Sequence, residues 1–185
     1  MGQQVSHFSS EDAETTYQKY RKLASEEAQR RNECFEQSQT AYKARRGKEA
    51  KELSQKGKEH TKKMEQYNMK AVEVIFKENN KNRPVNELDL HGLYVKEALS
   101  KTESRIQYCK EHKIDHLVII VGRGKHSLNG VAKLKPAIAD LMEKYQFNCI
   151  PNKPTVGCLY VEFGKPDLSW FEFLFESFGD KCVIC

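Results

Sequence analysis

Residues 11–80 contain no proline and only two glycines, Gly47 and Gly57. A stretch of that length without a strong breaker is confined to long helices, because nothing in it removes a backbone donor or clashes with the preceding turn. Ala50, Leu53, Gly57, His60, Met64, Tyr67, Ala71 and Val74 recur at intervals of three and four, as do Tyr17, Arg21, Ala24, Ala28, Arg31, Phe35, Ser38 and Tyr42. Both patterns are seams of helices packed lengthwise. Gly47, inside Ala44-Arg45-Arg46-Gly47-Lys48, is the predicted turn between them. The expectation is a helical hairpin over residues 11–83, with small and partly polar seams. Asn79-Asn80-Lys81-Asn82-Arg83-Pro84 reads as its terminating linker.

Charge separates the two halves. The net charge of +5 lies in residues 1–83, with 18 Lys and Arg against 13 Asp and Glu, while residues 84–185 balance. A basic hairpin fits a grip on RNA phosphates or a large particle such as the ribosome, and equally a solvated face. No run of 18 or more apolar residues exists, and the polar first thirty residues carry no apolar leader segment. The expected location is the cytoplasm. Cys34, Cys109, Cys149 and Cys158 fall within candidate elements and read as small apolar residues in a reducing compartment, and the Cys182–Cys185 pair has no second pair to complete a zinc site.

The second half alternates strand and helix. Residues 85–90 read as a strand closed by His91-Gly92, and Val95, Leu99, Thr102, Ile106 and Cys109 as a helix face. Leu117-Val118-Ile119-Ile120-Val121 is a β-branched run expected to be a central strand buried on both faces, closed by Gly122-Arg123-Gly124. Residues 131–145 read as a second helix with Leu134, Ile138, Leu141 and Met142 inward, and residues 147–150 and 157–163 as two further strands. The fold class is α/β: a two-layer βαβαββ sandwich over residues 84–165, preceded by the hairpin. Residues 1–10 are read as a flexible N-terminus and 166–185 as an aromatic tail.

In a βαβ unit the two parallel strands end on one edge of the sheet. That places Asp89 and His91 beside Gly122, Arg123 and Gly124. Asp89 and His91, at i and i+2, share a strand face while Leu88 and Leu90 turn to the core. Glycines let a backbone approach a ligand and expose its N–H groups, and the Arg123 guanidinium suits a phosphate. Gly92, Lys125, His126, Ser127 and Asn129 extend the candidate phosphate-binding set, and the following helix offers its positive end. His91 is suited to proton transfer, and Asp89 to orienting it, to holding a metal or to capping the turn. Alone, an Asp-Leu-His-Gly tetrapeptide is more often a strand-ending turn than a catalytic pair.

Leu88-Asp89-Leu90-His91-Gly92-Leu93, then residues 118–124 and the run from Gly130 to Ile138, resemble the Smr (small MutS-related) domain, whose signatures are an LDLHG strand end and a later glycine turn. Gly157, before the last strand, also fits, and the hairpin resembles the helical segment that often precedes Smr domains in eukaryotes. The resemblance implies an endonuclease or nicking enzyme for RNA or DNA, in several members acting on messenger RNA at stalled ribosomes. By position it makes Asp89, His91 and Arg123 the catalytic residues. Val121 departs from the Thr or His that often opens the glycine motif, which would lower activity or leave binding alone.

No group of three carboxylates forms a two-metal site, which favours RNA, whose own 2′-hydroxyl can attack, over DNA. No cofactor is expected, and the need for a divalent metal stays open. Met1-Gly2-Gln3-Gln4-Val5-Ser6 fits an N-myristoylation pattern at Gly2, and Cys182-Val183-Ile184-Cys185 a prenylation pattern at Cys182. Together they would tether the protein to a membrane surface. The aromatics of residues 170–178 would pack on a domain or lie beside the lipid. Two functions compete with the endonuclease: a non-catalytic RNA- or ribosome-binding adaptor, and a membrane-tethered interaction module.

Overall fold

The computed structural model describes residues 10–124 and 132–163. The expectations for Gly2, Lys125, His126, Ser127, Asn129, Cys182 and the aromatics of 170–178 lie outside the described residues. The chain divides between Asn82 and Arg83 into two units. Among the described residues no helix is long and apolar enough to cross a membrane.

The first unit is an antiparallel helical hairpin. Helix α1 spans Ser10–Lys43 and α2 spans Gly47–Asn80. Each has 34 residues, about 50 Å of helix. Arg21 Nη1 donates to Asn68 Oδ1 at one end and Ser38 Oγ to the Ala50 carbonyl at the other, both at 2.7 Å. Small side chains allow the close approach: Ala13, Ala24, Ala41, Ala50 and Ala71 are all buried. At Gly57 an added Cβ would come within 2.6 Å of the Phe35 ring, so the glycine is what admits that ring.

Two details of the hairpin differ from the sequence pattern. The turn residue is Arg45, not Gly47: Arg45 has φ 60, and Gly47 is already the first residue of α2. Arg45 N–H bonds the Tyr42 carbonyl and Arg46 N–H the Ala41 carbonyl, both at 2.9 Å, which is a Schellman ending with arginine in the left-handed place. In α1 the seam takes Glu27 and Ala41 where the spacing names Ala28 and Tyr42; Tyr42 is 76% exposed and Ala41 1%. Adjacent positions of a stripe are interchangeable by spacing alone. Glu27 turns inward because His60 and Arg30 meet its two oxygens, each at 2.6 Å.

That cluster sets an acid limit. The His60 hydrogen bond holds the Glu27 carboxyl below its ordinary 4.5, against burial, which raises it, with Arg30 lowering it further. A depressed carboxyl stabilises the fold above its unfolded value and loses that contribution as pH falls through the folded value. We therefore expect melting of the full-length protein, followed by circular dichroism, to weaken below about pH 4.5, and Glu27→Gln to flatten that part of the profile. An unchanged profile would show that the pair adds nothing.

The second unit has strand β1 at Glu87–Asp89, helix α3 at Val95–Glu111, β2 at His116–Ile120, α4 at Leu134–Lys144, β3 at Asn148–Pro151 and β4 at Cys158–Glu162. The sheet order is β1-β2-β4-β3, with β1 parallel to β2 and the other pairs antiparallel. Helices α3 and α4 pack on each other and are joined by a Tyr145 Oη to Glu103 hydrogen bond of 3.2 Å, so they form one layer. Leu88, Leu117, Ile119, Leu159 and Val161 share a sheet face and are each at most 1% exposed. Across the helices, Ala98, Thr102, Ile106, Cys109, Ile138, Leu141 and Met142 complete the core, while Val95, Leu99 and Leu134 are only half-buried.

Strand β2 is interior to the sheet but is not buried on both faces. Its burial alternates, with His116, Val118 and Ile120 half-buried, because both helices cover the opposite side. An unbroken β-branched run cannot show whether a second layer exists. Helix α4 starts at Leu134 and not near Val131. Pro136 fixes that start, since proline is accommodated in a first turn but would cost a hydrogen bond further in. Among the described residues Cys34, Cys109, Cys149 and Cys158 are free, with Cys109 and Cys158 buried, and burial pushes the Cys109 thiol up to about 11, which removes it as a nucleophile.

Candidate active site

Where β1 ends, the chain makes a tight turn. Leu93 N–H bonds the Leu90 carbonyl at 3.2 Å, and Gly92 has φ 82. This is the pattern of a type II turn with His91 second and glycine third, the one place where a side chain would strain the backbone. Leu90 N–H also reaches the Ile120 carbonyl at 2.8 Å, so the ends of β1 and β2 stay in register to the edge. Helix α3 starts at once, with Tyr94 N–H held by Glu97 at 2.8 Å.

Asp89 lies opposite Ile120 on the sheet face away from the helices, yet is 1% exposed. Its Oδ1 accepts His91 Nδ1 at 2.6 Å and the His91 backbone N–H at 3.1 Å. Its Oδ2 accepts Arg83 Nη2 at 2.6 Å. A carboxylate can only accept, and opposite one the Nδ1 of His91 is the ring nitrogen that carries the proton. In a neutral ring Nε2 then carries the lone pair, and the His91 side chain is 53% exposed. The arrangement is a buried acid orienting an exposed base.

The glycine turn stands beside it. Gly122 and Gly124 have φ of 73 and 74, and a Cβ on Gly122 would lie 3.5 Å from that of His91. Gly157, at φ 96, packs backbone to backbone on Gly122: a Cβ there would meet the Gly122 carbonyl at 3.2 Å and Arg123 Cγ at 3.4 Å. Arg123 is exposed, and no ion pair to another described residue holds it. Val121 is 6% exposed and its N–H bonds the Gly157 carbonyl at 2.9 Å. Its side chain therefore offers no exposed group at this edge. Asp89, His91, Gly92, Gly122, Arg123 and Gly124 are thus gathered at one edge of the sheet.

Arg83 was not predicted. The sequence pattern assigns it to the linker, but it belongs to the α/β unit and grips both Glu87, at 3.2 Å, and Asp89. The signal available was weak: Glu87, Asp89 and His91 alternate on one strand face, and a buried acid there needs a cation. Among the described residues no three of His, Cys, Asp or Glu come together as metal donors.

Two family models match this chain in sequence: a domain of unknown function, DUF1771, over residues 17–80, and the Smr domain over residues 88–162. The chain carries an Smr domain preceded by a DUF1771 region. Its Smr domain is the α/β unit, and its DUF1771 region the helical hairpin. Endonuclease NBR9 of Saccharomyces cerevisiae is 44% identical over 146 residues, 79% of this chain and 61% of that protein. An Smr domain-containing protein of Schizosaccharomyces pombe is 45% identical over 128 residues, 69% of this chain and 62% of that one. The match thus spans less than two thirds of either relative. The solution structure of the B3BP Smr domain is 38% identical and covers 51% of this chain and 93% of that domain, with a TM-score of 0.41.

Proposed function

We propose that this protein is an endonuclease that cuts RNA within its Smr domain, with His91 as the proton-transfer residue. The observation that carries the reading is the Asp89–His91 contact of 2.6 Å, which orients a histidine whose side chain is 53% exposed. Nε2 takes the proton of a ribose 2′-hydroxyl as that oxygen attacks the adjacent phosphorus. The bond from phosphorus to the 5′-oxygen breaks, and the proton ends on the departing oxygen. Arg123 and the N–H groups of the Gly122–Gly124 turn hold the phosphate oxygens, where charge grows in the transition state. Asp89 fixes the ring, and Arg83 fixes Asp89. The name of the Saccharomyces cerevisiae relative supports a nuclease, and the family resemblance supports messenger RNA on stalled ribosomes as the setting.

The test is incubation of the full-length protein with labelled RNA and DNA of one sequence, with and without EDTA, followed by analysis of the product ends. We expect RNA fragments ending in a 2′,3′-cyclic phosphate and a 5′-hydroxyl, undiminished by EDTA. Products with a 3′-hydroxyl and a 5′-phosphate that disappear with EDTA would overturn this chemistry in favour of a metal-activated water. RNA binding without any cutting would leave an adaptor.

A further inference from the structure

The turn of the hairpin breaks the electrostatic rule for helix ends. Residues 43–51 carry Lys43, Arg45, Arg46, Lys48 and Lys51 against the one acid Glu49, and Glu49 is bound to Arg46 at 2.9 Å. Lys43 is well placed for stability, at the negative end of α1. The others are not. Arg46 is the N-cap of α2 and makes no side-chain cap bond, and Lys48 and Lys51 follow in the first turns, where the positive end of the helix favours acids. A Ser or Asp at position 46 and acids after it would stabilise this end; the chain instead concentrates like charge there. Arg45 in the left-handed position adds little to this argument, since Lys113 and Gln146 occupy the same kind of place at the ends of α3 and α4.

An aromatic ring stands in this field. Tyr42 is 76% exposed, and residues 42–49 are all exposed. A groove of about 500 Å³ runs between Ser38, Tyr42, Lys43, Gly47 and Lys51. No side chain crowds Gly47, where an added Cβ would meet nothing within 4 Å. A flat aromatic face beside a groove that Lys43 and Lys51 help to line, with Arg45, Arg46 and Lys48 exposed in the same turn, has the chemistry of single-strand recognition, in which bases stack on the ring and phosphates meet the charges.

We propose that the hairpin turn is a second nucleic-acid contact, binding single-stranded RNA through Tyr42 as a stacking platform and Arg45, Arg46, Lys48 and Lys51 as phosphate contacts. It belongs to the first unit and the cleavage residues to the second, so the two readings can fail separately. An anionic membrane or an acidic protein would also meet the charge and accept a tyrosine at its boundary, but a single ring among closely spaced cations matches the alternation of bases and phosphates along one strand.

The experiment is equilibrium binding of the full-length protein to a fluorescent oligouridine of about 20 nucleotides. Its 2′-O-methyl riboses keep bases and phosphates but remove the attacking hydroxyl, so cleavage plays no part. The triple change Arg45→Glu, Arg46→Glu, Lys48→Glu should weaken binding about ten-fold or more and make the salt slope shallower by about two. Tyr42→Ala should weaken it about ten-fold with the salt slope kept. Arg45→Gly guards against a folding artefact: it relieves the left-handed strain, so the protein should melt higher while binding RNA about two-fold more weakly. Unchanged affinity and slope in the triple variant would overturn the proposal. So would unchanged RNA binding combined with lost retention on phosphatidylserine vesicles or on a polyglutamate peptide, which would assign the turn to a lipid or a protein.

Discussion

Replacing His91 with alanine should lower RNA cleavage by about two to four orders of magnitude while leaving the fold intact. The two effects separate because of how Asp89 is held. The buried carboxylate loses the imidazole, but alanine keeps the backbone N–H that donates to Oδ1 at 3.1 Å, and Arg83 keeps Oδ2. No buried charge is left bare, so thermal melting should barely move. Affinity for RNA should hold within a few-fold, because many groups share the phosphates. The measurement is single-turnover cleavage alongside a melting curve. Cutting at the wild-type rate by a pure, folded variant would remove His91 from the chemistry.

Arg83→Ala should do the opposite and destabilise before it does anything else. Asp89, with its side chain 2% exposed, would keep its charge but lose the guanidinium on Oδ2. Stripping one partner from a fully buried pair costs about 3–5 kcal/mol. A third of the Arg83 side chain remains in water, so we expect about 2–3 kcal/mol for this pair. Cleavage should fall as well, since a carboxylate free to rotate no longer fixes His91. Denaturant unfolding of Arg83→Ala, Asp89→Asn and the double variant gives the coupling. With Asp89 neutral, losing Arg83 should cost much less, and strictly additive single effects would show that the arginine is a solvated surface group.

The edge of the sheet was legible in the sequence because strand ends are punctuated. Gly92, Gly122 and Gly124 mark where β1 and β2 stop, and parallel connection brings those stops together. That His91 and Asp89 share a face follows from their two-residue spacing, while their 2.6 Å contact needs the turn from Leu90 to Leu93. Arg83 was hidden because its partner lies six residues away across Pro84, a separation with no period. The same limit explains Arg45: a Schellman turn favours glycine, and the nearby Gly47 drew the assignment, yet the hydrogen bonds close on Tyr42 and Ala41. Whether Val118 and Ile120 face a second layer depends on how many helices the sheet carries, which no strand records in its own residues.

Gly124 holds one more consequence. An added Cβ there would come within 2.8 Å of Ala132 Cα, so the backbone at these two positions is in contact. The φ of 74 at Gly124 excludes an unstrained L side chain as well. Position 124 is thus closed twice over, by its own backbone and by its neighbour, while Arg123 one residue before it stands exposed. Whatever disturbs the packing here also disturbs the turn that carries Arg123, so selection for folding and selection for function act on one residue.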